Sequence, residues 1–143
     1  MLLSEPDISS EVIMKGQTPE VPKNGFHTKV VGNTFNGRQD AIDASLLDAG
    51  VLLYWEKGND HDKFAIAVLR ADDGRQIGYI AGCYTPFLAP HAKFMELCAK
   101  VLEVTGGVGD KPNKGVNLFV YREDEEPLPS KGFMQIHCGD YRD

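Results

Sequence analysis

Between two apolar runs, residues 51–55 (VLLYW) and 64–69 (FAIAVL), lies the polar hexapeptide Gly58-Asn59-Asp60-His61-Asp62-Lys63. An amide, two carboxylates and an imidazole stand within four residues, supplying hydrogen-bond donors and acceptors, a flat ring and oxygen and nitrogen ligands. Loops held at both ends by strands are where binding residues concentrate. A metal centre is disfavoured because neighbours on an extended chain point to opposite sides. There is also no second His, Asp or Cys cluster at ligand spacing. No G-x-S-x-G, P-loop or recognisable Cys/His motif is present, so no catalytic activity and no cofactor are expected. A second polar stretch, Gly106-Gly107-Val108-Gly109 with Lys111 and Lys114, could cradle a phosphate. Its glycines do not open a helix, so a Gly-rich hairpin is the simpler reading, and the two lysines remain as candidate cations.

The elements that must hold these residues are short. Residues 51–55, 64–69 and 76–80 read as three strands, with a hairpin signal at Asp72-Asp73-Gly74 between the last two. Residues 26–35 form an earlier strand centred on Val30 and Val31, closed by the turn Asn36-Gly37. Over residues 38–47 the spacing of Ala41, Ile42, Ala44, Leu46 and Leu47 suits one face of a short helix, with Gly50 as its stop. Pro86 and Pro90 limit residues 84–91 to a short helical turn that packs Phe87 and Leu88 inward. Residues 94–104 read as strand rather than helix, because Val101–Thr105 is rich in β-formers and ends at Gly106-Gly107. Residues 116–121 form another strand, residues 11–14 are compatible with a short edge strand and residues 133–137 with one last strand. About six strands, two short helical segments and Gly-rich turns describe a mainly β protein, a small OB-like barrel.

The chain has 143 residues, one domain's worth, with ordinary hydrophobic and charged fractions. No apolar run approaches a membrane span, the amino terminus lacks the basic start of a secretory signal, and the three cysteines are too few and too scattered for a disulfide framework. A cytoplasmic location, no membrane contact and a monomeric state are expected. The net charge is −6, of which residues 1–25 carry −2 and residues 123–143 carry −4, leaving residues 26–122 neutral. That balance counts against tight binding to nucleic acid driven by charge alone. Residues 1–25 read as a flexible arm, 26–122 as the barrel domain, and 123–143 as an acidic linker and terminal segment with room for one further strand.

Read together, Val30-Val31-Gly32, Phe35, Gly37-Arg38-Gln39, Asn59, His61-Asp62, Ala65-Ile66-Ala67-Val68, Gly78-Tyr79-Ile80 and Val104-Thr105-Gly106-Gly107 follow one another as in a HIRAN domain. The resemblance covers about residues 26–122 and is to the stand-alone bacterial or phage type. It implies an OB-like barrel that recognises single-stranded DNA at a free 3′ end, in DNA repair or replication, with a helicase or nuclease as a possible protein partner. Carried over by position, Phe35, His61 and Tyr79 would stack bases, Asn59 would contact the terminal nucleotide, and Asp62 would accept a hydrogen bond from the 3′ hydroxyl. Lys111 and Lys114 would touch the backbone on one side of the groove. The chemistry is consistent: stacking is tolerant of base identity, and a carboxylate repels phosphate, so it belongs in a DNA site only opposite a hydroxyl. The chain departs from the family pattern at Phe64, at Asn36, and at Gly82, where a Lys or Arg commonly stands.

Each of these residues also has a structural reading. Phe35 beside a strand end ordinarily packs inward, Asp62 ordinarily caps backbone amides in its turn, and Tyr79 can be a sheet residue with its hydroxyl in water. A protein-interaction module is the alternative function, keeping the barrel with a degenerate DNA groove while the acidic tails engage a basic partner.

Overall fold

The computed structural model describes residues 24–93 and 96–129. The strand pattern of the sequence is present. β1 (Phe26–Val31), β2 (Val51–Trp55), β3 (Ile66–Arg70), β4 (Gln76–Ile80), β5 (Leu97–Thr105) and β6 (Gly115–Arg122) form one antiparallel sheet in the order β2-β3-β4-β1-β6-β5. The sheet curls into a half-barrel, bringing its two edges, β2 and β5, towards each other. Register shifts at Val68/Leu69 in β3 and Val101/Glu103 in β5 are bulges of the kind that bend strands. Two short helices, α1 (Leu46–Ala49) and α2 (Thr85–Lys93), pack at the opening against β5 and β2.

Alternation along the strands decides what goes inside. Val30 pairs with Ile80 and both are buried, whereas their neighbours Val31 and Tyr79 pair on the outer face. Ile42, Leu46, Ile66, Val68, Ile77, Leu88, Leu118 and Val120 complete the core, each with essentially no exposure. β1 and β4 can pair only because position 78 lacks a side chain. Gly78 has φ +156°, and a Cβ there would lie 2.3 Å from Val30 Cγ1 and 2.5 Å from the Val31 carbonyl.

Local chemistry moves several boundaries away from the sequence expectation. β1 stops at Val31 rather than Phe35, because the chain turns at Gly32. Residues 38–47 are not one helix: a 3-10 turn, Arg38–Ala41, is separated from α1 by an extended Ile42. The Asp43 carboxylate accepts hydrogen bonds from the amide and hydroxyl of Ser45, a local arrangement that competes with the helix. Gly50, at φ +75°, ends α1 as expected. Pro86 falls in the first turn of α2, where its missing N–H costs nothing, and the helix continues through Pro90 to Lys93. β5 accordingly begins only at Leu97. The expected strands at residues 11–14 and 133–137 lie outside the described residues. Among the described residues, no helix is long and apolar enough to cross a membrane.

Candidate nucleic-acid interface

The polar hexapeptide is built as a rigid turn. Asn59 Oδ1 accepts from the amides of His61 (2.8 Å) and Asp62 (2.9 Å), and Asp62 Oδ1 accepts from the amide of Phe64 at 2.9 Å. The Ala65 amide donates to the Asp62 carbonyl at 3.0 Å, which delays β3 until Ile66. Glu56, one residue beyond β2, anchors the turn from below. Its Oε1 accepts from Asn59 Nδ2 at 3.1 Å and from the Tyr79 hydroxyl at 2.9 Å.

This turn forms one wall of a groove of about 650 Å³ lined by Asn59, His61, Asp62 and Gly82 on one side and Val31, Phe35, Asn36, Arg38 and Tyr79 on the other. The volume lies within the range of ordinary ligand sites. Phe35 is 64% exposed, so it does not pack into the core. Asp62 does cap its own turn, but only through Oδ1. Its Oδ2 lies 3.6 Å from where a Gly82 side chain would begin and accepts no hydrogen bond among the described residues, which leaves a lone pair for a ligand. The Tyr79 hydroxyl is bonded to Glu56, while its ring carries the Arg38 guanidinium 5.1 Å from its centroid.

Five of the seven residues singled out from the sequence therefore line one groove: Phe35, Asn59, His61, Asp62 and Tyr79. Lys111 and Lys114 do not line it. Lys111 is exposed on the β5–β6 hairpin, where it bridges to Val108, and the Lys114 backbone is held by the Gln39 side chain. The groove's cation is instead Arg38. It donates to the Gly32 carbonyl at 2.7 Å and makes no ion pair among the described residues. Among the described residues, no three His, Cys, Asp or Glu side chains converge as a metal site.

The chain matches no family model and no curated protein. Among solved structures, it is similar to a protein from Lactobacillus plantarum at 26% identity, with a TM-score of 0.45, over 69% of this chain and 93% of that one.

Arg38 and Glu56 are the two residues that sequence reasoning passed over. Arg38 stood within Gly37-Arg38-Gln39 without an assigned role, and its place directly after the Asn36-Gly37 turn beside Phe35 was the available signal. A lone acid following an apolar run, such as Glu56, reads only as the end of a strand.

Proposed function

We propose that this protein is a non-catalytic, cytoplasmic HIRAN-like module that binds single-stranded DNA at a free 3′ end. One observation carries the reading: residues from separate stretches, chosen for stacking and end recognition, line a single groove with a guanidinium that has no acidic partner among the described residues. Phe35, His61 and Tyr79 offer ring faces, and Arg38 offers positive charge to phosphate. Asp62 Oδ2 offers an acceptor that suits a terminal hydroxyl and repels a continuing phosphate. A helicase or nuclease would be the natural partner of such an end-binding module.

Fluorescence anisotropy with short oligonucleotides tests this. A free 3′ hydroxyl should bind more tightly than a 3′ phosphate, and Asp62→Asn should narrow the difference. Equal affinity for the two ends would remove Asp62 from the site.

A protein-interaction module is the second reading. It is favoured by Leu52 and Tyr54, which are 56% and 58% exposed on the outer side of edge strand β2. It would take over if no oligonucleotide bound at low salt.

A further inference from the structure

The groove opens beside a second concavity. This one has a volume of about 430 Å³ and is lined by Asn36, Gly37, Arg38, Asp40, Arg75 and Gln76. Asn36 and Arg38 line both spaces, so the turn that carries them is a shared ridge rather than a boundary. Asn36 is in the left-handed conformation at φ 58°, uncommon for any residue with a side chain, although asparagine tolerates it best.

The ridge is firmly held. The Arg38 amide donates to the Phe35 carbonyl at 3.1 Å. Gln39 grips the Lys114 backbone in both directions, Nε2 donating to its carbonyl at 2.9 Å and Oε1 accepting from its amide at 2.8 Å. Asn33 Nδ2 donates to the same carbonyl at 2.6 Å.

On the far side of the ridge stands Arg75, in the β3–β4 turn. Its Nε donates to Asp73 Oδ2 at 2.8 Å and its Nη1 reaches the Asp40 carbonyl at 3.3 Å, while Nη2 makes no hydrogen bond among the described residues. The Arg75 and Asp73 side chains are 51% and 42% exposed. An ion pair this exposed contributes little, and a phosphate accepting two parallel N–H bonds competes with it well. Arg38 on the ridge and Arg75 beyond it thus both present guanidinium donors to the second concavity, whose lining holds one carboxylate, Asp40.

We infer that the second concavity continues the strand path. Nucleotides on the 5′ side of the terminal one cross the Asn36-Gly37 ridge, and their phosphodiester groups meet first Arg38 and then Arg75. This inference rests on the proposed function, which concerns only the terminal nucleotides.

The test is a length series: unlabelled oligonucleotides of two to six nucleotides with a free 3′ hydroxyl, competing against a labelled hexamer. Wild-type affinity should rise with length and then level off. Arg75→Ala should leave the dinucleotide unchanged but weaken the hexamer about five- to tenfold and lower its salt slope by about one, as for one lost phosphate contact. Arg75→Lys should restore part of the loss. Asp73→Ala, which releases Arg75, should strengthen hexamer binding. An Arg75→Ala protein whose hexamer affinity is unchanged, or whose dinucleotide affinity falls equally, overturns the second path and leaves end recognition standing. Failure of every length to bind the wild type removes both.

Discussion

Arg70 is buried and Arg38 half-buried, and they are satisfied in opposite ways. Arg70, 3% exposed on β3, donates to both carboxylate oxygens of Asp72 (2.9 and 2.8 Å), to the Ala41 carbonyl (2.9 Å) and to the Ser45 hydroxyl (2.8 Å). Asp43 lies at 3.4 Å. These contacts tie the broken segment between the 3-10 turn and α1 to the β3–β4 turn. The Asp72 bonds and charge raise the Arg70 pKa above its already high value, and in return Arg70 holds the Asp72 carboxyl down at about 2. Arg38 has one carbonyl and one ring face. A cation with a full set of partners has little left to offer a ligand. One without a counter-ion among the described residues, beside an exposed Phe35, gains from any anion that arrives.

If this contrast is right, mutation should separate stability from binding. Arg70→Met should cost about 1–3 kcal/mol of folding stability, since it leaves the buried Ala41 carbonyl without its donor and removes the bonds to Ser45 and Asp72. Urea denaturation would read this, and the protein that remains folded should keep its oligonucleotide affinity. Phe35→Ala should do the reverse, losing about 1–3 kcal/mol of binding, the value of one stacked base, with stability within about 0.5 kcal/mol of wild type. Arg38→Ala should weaken binding about tenfold at low salt and shift stability by less than about 1 kcal/mol, the scale of its contact with Tyr79. Parallel losses of stability and affinity in all three would erase the distinction.

The pH dependence sharpens it further. The folded Asp72 pKa lies below the ordinary value of 3.8, so the folded state binds its proton less readily than the unfolded chain does. Its contribution is complete above about pH 4 and drains away as pH falls towards 2. Asp72→Asn should flatten this acid limb in urea midpoints measured between those values, whereas Arg38→Ala should leave it unchanged.

β2 and β4 were legible to the residue, because each is an apolar run closed by polar or turn residues at both ends. β3 begins two residues late because Asp62 captures the amide of Phe64 through its side chain and that of Ala65 through its carbonyl, a competition that periodicity does not register. The break at Ile42 arose in the same way, from Asp43 and Ser45. In the site, Asn59, His61 and Asp62 stood out because a polar turn between two strands is a local feature. Phe35 could be read two ways until its exposure was known. Arg38 and Glu56 act through Tyr79, which is distant in sequence and adjacent only once β4 has paired with β1.

The single Glu56 oxygen that holds both the Asn59 amide and the Tyr79 hydroxyl makes the two walls of the groove thermodynamically dependent on each other. Removing the Tyr79 hydroxyl frees that oxygen to bind Asn59 alone, so the energetic effects of changing the two residues should not add. A double-mutant cycle between Tyr79→Phe and Asn59→Ala would express this as a coupling energy. The groove would then respond to a ligand as one cooperative unit, with whatever orders the polar turn also fixing the ring on the opposite strand.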